Sequence, residues 1–200
     1  MLDFESLLFR IDISARIAQP HSFLVAEPFL RDSYFSHAVI ALVDYTPGGK
    51  AMGIVLNHPL GCTLQEIVSE VNAPEPIRVF CGGPMSCDRL YFIHTLGDII
   101  PNSQPMGEGL WIGGDFDAMI KYVNSGYPVE GVIRFFLGYS GWDSGQLDEE
   151  LHQHVWAVAD PIAHETTLTL THDDLWHAMV RSMGPAFRGW QFYPKNVLSN

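Results

Sequence analysis

Apolar residues recur along this chain in two rhythms. Over residues 3–18, Phe4, Leu7, Leu8, Ile11, Ala15 and Ala18 fall at helical spacing, with Asp3 placed to cap the first turn. The pattern predicts a helix there, with Ile13 and Ile17 off its stripe. Short apolar runs then take over. Residues 23–26 read as a strand stopped by Pro28. Residues 38–43 are continuously apolar, which marks a strand buried on both faces. Residues 45–50 form a Pro-Gly-Gly turn, and residues 51–57 return as the next strand, so the two predict a hairpin. Thr63 is placed to cap a helix over 64–71, with Glu66 completing a capping box.

Strands follow at 78–81 and 90–95, separated by the turn Gly82-Gly83-Pro84. The turn 107–109 leads into 110–114. Asp115 caps a predicted helix that runs through Asn124 and ends before Gly126 and Pro128. A strand over 131–137 enters a loop over 137–147. A short acidic helix (147–152), a strand (154–159) and a helix (173–183) complete the pattern, and the aromatic stretch 187–193 is expected to pack back on the body. Strands occur both in hairpins and beside helices, with no internal repeat. This favours an α+β class with a mixed sheet over a doubly wound α/β fold.

Composition narrows the function classes. A chain of 200 residues buries roughly 70% of its unfolded surface and needs no disulfide or metal to fold. The charge of −12, from 23 acidic and 11 basic residues, repels nucleic-acid phosphates and anionic membrane faces, so direct DNA binding is not expected. Cys62, Cys81 and Cys87 are odd in number and irregular in spacing, which reads as reduced thiols in the cytoplasm. No basic, apolar leader opens the chain, and no apolar run reaches the ~18–20 residues of a membrane span.

The candidate chemistry lies in glycine-rich segments. In Leu137-Gly138-Tyr139-Ser140-Gly141-Trp142-Asp143-Ser144-Gly145-Gln146-Leu147, three glycines stand among short polar groups and a tryptophan. Such a segment shapes either a binding loop or a set of tight turns. Neither serine has the flanking glycines of a nucleophile elbow, because Trp142 takes the second glycine position after Ser140. Gly107-Glu108-Gly109 starts like a dinucleotide fingerprint, but Ile112 stands where the third glycine belongs. His172 and His177 are five apart, and the cysteines lack CxxC spacing, so no metal or cofactor is expected. Cys81 has no basic neighbour in sequence and reads as a structural thiol.

Three blocks carry a resemblance to the AlgH/YqgE family of bacterial proteins. They are residues 23–32 continuing through 51–60, then Val79-Phe80-Cys81-Gly82-Gly83-Pro84, then 137–147. The resemblance covers roughly residues 20–160. It implies a compact α+β domain with a curved, partly barrel-like mixed sheet and helices around it, in a soluble cytoplasmic protein. A transcriptional-regulator label travels with part of the family, and the family supplies no catalytic residues. His58 stands where Arg is usual, and Tyr45 where His is usual after an acidic residue. The expected organisation is an N-terminal helical extension (1–19), a core (20–160), and a C-terminal helix with an aromatic tail (161–200).

The strands preceding each glycine block should bring 138–146 close to Gly82-Gly83-Pro84 and Asn57. Asn57, Gly82, Gly83, Gly138, Ser140, Trp142 and Gln146 are therefore the expected binding residues. The expected function is a non-enzymatic regulatory or binding protein acting through protein or small-molecule contacts. The alternative is a small-molecule hydrolase or transferase using the glycine loops as an oxyanion or phosphate cradle.

Overall fold

A computed structural model describes residues 16–32 and 34–192. Its elements in chain order are β1 (Phe23–Ala26), β2 (Val39–Tyr45), β3 (Ala51–Val55), β4 (Pro59–Thr63), α1 (Leu64–Ile67), β5 (Arg78–Cys81), β6 (Met85–His94), β7 (Gln104–Gly107), β8 (Leu110–Ile112), α2 (Phe116–Val123), β9 (Ile133–Trp142), α3 (Gln146–His152), β10 (Trp156–Ala159), α4 (His164–Thr169) and α5 (His172–Ser182), followed by a 3-10 helix over Pro185–Phe192. The predicted N-terminal helix lies outside the described residues apart from 16–18, which are not helical.

The class is α+β. Ten strands form one sheet in the order β10-β1-β2-β3-β9-β6-β8-β7, with the β4–β5 ribbon joined to β9. The sheet is mixed because β5 runs parallel to β9 while the other pairs are antiparallel. It does not close: its path ends at β10 on one side and β7 on the other.

Alternation along the first strands explains the layers. Phe23, Val25, Val39 and Ala41 point to one face, where Leu175, Trp176, Met179 and Val180 of α5 and Trp190 cover them. Leu24, Ala26, Ile40 and Leu42 point to the other face and pack on Trp142, Leu147 and Trp156. Both faces are buried, as the continuous apolar run in β2 requires. A third cluster lies under the other half of the sheet, where Val79, Phe92 and Phe135 meet Leu64 of α1 and Met119 and Val123 of α2. In the 3-10 helix, Trp190 stacks on Trp176 at 6.3 Å. Phe192 remains exposed.

Two local expectations need correcting. The helix expected over 64–71 is the single turn α1, Leu64–Ile67. Glu66 does reach back, its carboxylate accepting from the backbone N and Oγ1 of Thr63 at 2.7 and 2.9 Å. The helix ends because Val68 turns extended, at φ −118° and ψ 107°, with its backbone N–H closing the single turn on Leu64 O. The second correction concerns the loop expected over 137–147. Residues 138–142 continue β9, and only Asp143-Ser144-Gly145 turn before α3. Pairing of Ser140, Gly141 and Trp142 with Gly53, Met52 and Ala51 overrides the flexibility of the glycines.

Candidate functional site

Strand β9 organises the glycine blocks. Phe135, Phe136 and Leu137 pair with β5 on one edge and with β6 on the other. The chain must therefore pass from one edge of β9 to the other between Cys81 and Met85. Only Gly82, Gly83 and Pro84 make that crossing, over β9 at Gly138.

The backbones touch there. A Cβ on Gly82 would lie 2.3 Å from the Gly138 carbonyl oxygen, and one on Gly83 2.2 Å from the Tyr139 carbonyl carbon. Gly138 has φ +72°, and its Cβ would lie 2.5 Å from the Gly83 oxygen. Gly82 N–H donates to Leu137 O at 2.8 Å, and Gly82 O accepts from Val55 N at 2.9 Å. Ser140 Oγ, in a 1% exposed residue, donates to the same oxygen at 3.4 Å. The Cys81 and Cys87 thiols both face Gly83 O, at 3.7 and 3.8 Å. Burial pushes the Cys81 thiol up, away from the thiolate form that a nucleophile needs.

The structure thus brings Gly82, Gly83, Gly138 and Ser140 together. Asn57 follows two residues after Val55 and is fully buried. Its Oδ1 accepts from Val39 N at 3.0 Å, and its Nδ2 donates to His37 O and His172 O at 2.8 Å each. Asn57 pins the start of β2 and the start of α5 to the end of β3. Trp142 and Gln146 belong to a separate cluster at the far end of β9. Trp142 is buried in the core, and its Nε1 donates to Glu150 Oε2 at 2.8 Å. Trp156 Nε1 donates to the same oxygen at 2.7 Å. Gln146 Nε2 donates to Glu150 Oε1 at 2.9 Å, while its Oε1 accepts from Asp143 N at 3.0 Å.

A cavity of about 900 Å³ opens elsewhere. It lies between the β4–β5 ribbon, residues 126–134 leading into β9, and the end of α4. Leu60, Pro76, Phe80, Tyr127, Val129 and Leu168 supply much of its apolar wall, and Cys62 adds a half-buried thiol. Two arginines and two glutamates also line it: Arg78, Arg134, Glu75 and Glu130.

Arg134 is 4% exposed and sits inside the apolar strand β9. Its Nη1 donates to Leu56 O and Leu170 O, each at 2.9 Å. Its guanidinium lies 4.3 Å from the centroid of the Phe80 ring. Burial first, and the Arg78 charge second, lower its pKa to about 10; Glu130 opposes them. Sequence reading passed over this residue. The available signal was one cation inside Val132-Ile133-Arg134-Phe135-Phe136-Leu137, since a charge in a buried strand is rare without a role. Among the described residues no group of three or more His, Cys, Asp or Glu side chains is placed to hold a metal ion. No helix there is long and apolar enough to cross a membrane.

Comparison with known proteins agrees with this architecture. The AlgH-like family model matches residues 23–188. The chain is 37% identical over 194 residues to a UPF0301 protein of Parabacteroides distasonis, covering 96% of this chain and 97% of that one. It is 36% identical over 196 residues to a UPF0301 protein of Bacteroides thetaiotaomicron, covering 97% of each. The solution structure of the AlgH protein from Pseudomonas aeruginosa superposes with a TM-score of 0.66 at 26% identity, over 85% of this chain and 93% of that one. A crystal structure of a Corynebacterium diphtheriae protein shares the fold, with a TM-score of 0.71 at 19% identity over 89% of this chain and 92% of that one. With the three glycine blocks converging on β9 and the family match spanning nearly every described element, this chain belongs to the AlgH-like family.

Proposed function

We propose that this protein is a non-enzymatic regulatory protein that binds a small, largely apolar molecule in the cavity beside the β4–β5 ribbon. The observation that carries this reading is the cavity itself. Its volume of about 900 Å³ falls within the size of small-molecule sites, and its wall is mainly apolar with a few polar groups. We assign Asn57, Gly82, Gly83, Gly138, Ser140, Trp142 and Gln146 to holding the scaffold that shapes this cavity. Their polar groups are engaged with the protein's own backbone and side chains.

The rival reading, a hydrolase or transferase with a glycine-loop cradle, has less support. The Gly82 amide is already bonded to Leu137 O, and the Ser140 hydroxyl is enclosed. The acidic charge of −12 supports a role that does not use direct DNA contact. The free Cys62, Cys81 and Cys87 support a cytoplasmic location.

Thr169→Trp tests the reading. Thr169 is an exposed residue at the end of α4 that lines the cavity, so the indole fills space without entering the core. The wild-type protein should give saturable shifts of cavity-lining amides with small amphiphiles by NMR. The variant should lose them at an unchanged melting temperature. Equal binding by both proteins would sink the assignment.

A further inference from the structure

Arg134 poses a problem that the fold alone does not solve. A buried guanidinium is strongly disfavoured unless its charge is matched. The ion pairs among the described residues are Arg16–Asp160, His37–Asp173 and His164–Glu165, and none includes Arg134. Its compensation is two carbonyl oxygens and the face of Phe80. Both hydrogen bonds come from Nη1. The N–H groups of Nε and Nη2 take no partner among the described residues, and the side chain lines the cavity. Arg78, exposed and lining the same cavity, adds a second positive charge. Glu75 and Glu130 also line the cavity and are exposed.

We propose, resting on the cavity reading above, that the ligand is an apolar monocarboxylate whose carboxylate is held by Nε and Nη2 of Arg134. These two nitrogens present parallel donors on one edge of the guanidinium plane. That edge matches the two oxygens of a carboxylate in a bidentate pair. The ligand's charge would supply the ion-pair partner that Arg134 lacks among the described residues. A phosphate fits less well, because Glu75 and Glu130 line the same cavity and repel an anion of higher charge. The long apolar wall then accommodates the tail or ring of the acid. Arg78 assists entry as an exposed cation, and Arg134 sets specificity.

The test uses the full chain and matched pairs of probes: decanoate against decan-1-ol, and 2-naphthoate against 2-naphthylmethanol. Calorimetry should show each acid binding about tenfold or more tightly than its alcohol, the scale expected for a hydrogen bond to a charged group. Arg134→Lys keeps the charge and removes the paired donors, so it should erase most of that preference while alcohol binding stays. Because Arg134 also ties Leu56 O to Leu170 O, the variant can fail to fold. The wild-type Arg134 Nε–H resonance then serves as the readout, and it should move downfield with the acids alone. Equal affinity for acid and alcohol, an unmoved Nε–H signal, or a preference that survives in folded Arg134→Lys overturns the carboxylate assignment while leaving the cavity reading standing. Absence of binding by all four probes overturns both.

Discussion

Gly138→Ala separates a structural crossing from a ligand cradle. The substitution acts in two ways. Gly138 has φ +72°, and moving an L-residue into this region costs about 1–2 kcal/mol. The new methyl would also lie 2.5 Å from Gly83 O and 2.7 Å from Met85 O. Both atoms are backbone at the point where two strands cross, so neither can swing aside. Forced repacking of this kind costs about 1–3 kcal/mol. The sum is about 2–5 kcal/mol, and for a chain of 200 residues it lowers the melting temperature by about 4–20 °C. Gly145→Ala is the control. Its φ is +75°, but nothing lies within 4 Å of the added Cβ, so only the backbone cost of about 1–2 kcal/mol remains. Urea denaturation followed by circular dichroism, with melting temperatures alongside, reads both. Equal losses for the two variants would refute the backbone-contact argument. A Gly138→Ala protein of unchanged stability that no longer binds ligand would return the glycines to a functional role.

Two further outcomes follow from buried polar groups. Asn57→Ala removes one acceptor and two donor interactions and strands Val39 N, His37 O and His172 O, so urea unfolding should show a loss of about 3–5 kcal/mol; a loss near zero would mean that the freed groups find water or other partners. His94 is fully buried, and burial lowers its pKa from 6.5, against a smaller opposite effect of its bond to Gly113 O. Its Nδ1 accepts from Leu96 N at 3.0 Å, so the neutral ring donates through Nε2 to Gly113 O at 2.9 Å. A depressed folded pKa means that its contribution to stability is complete above pH 6.5 and is lost as the pH falls below that value. His94→Gln should flatten that part of a stability–pH curve, and an unaltered slope would remove His94 as its source.

Local chemistry was enough to specify much of this fold. The β2–β3 hairpin follows from Thr46-Pro47-Gly48-Gly49 between two apolar runs, because a turn and its flanking strands form from neighbouring residues. Helix α2 starts where Asp115 accepts from Ala118 N at 2.8 Å, a bond between residues three apart. Helix α5 is bounded by Asp173 and Asp174 in its first turn and by Gly184-Pro185 after its end. The family resemblance rested on such blocks and pointed to the right architecture.

Tertiary structure decided the meaning of the glycines. A glycine has the same local freedom in a binding loop, a turn or a crossing. Only the pairing of β9 with both β5 and β6 shows that Gly82, Gly83 and Gly138 are small because backbones meet there. The same long-range pairing turned 138–142 from expected loop into strand, since hydrogen bonds to β3 outweigh the entropy that glycine adds. Pairing with β5 likewise makes a strand of Pro59–Thr63, whose local pattern carries no strand signal. The cavity and its arginine are decided in the same way. Arg134 becomes a candidate site residue when Leu56, Phe80 and Leu170 at the end of α4 surround it, and these come from three separate stretches of chain. Turns and caps depend on neighbours in sequence, whereas burial of a charge depends on neighbours in space, and those exist only after the sheet has formed.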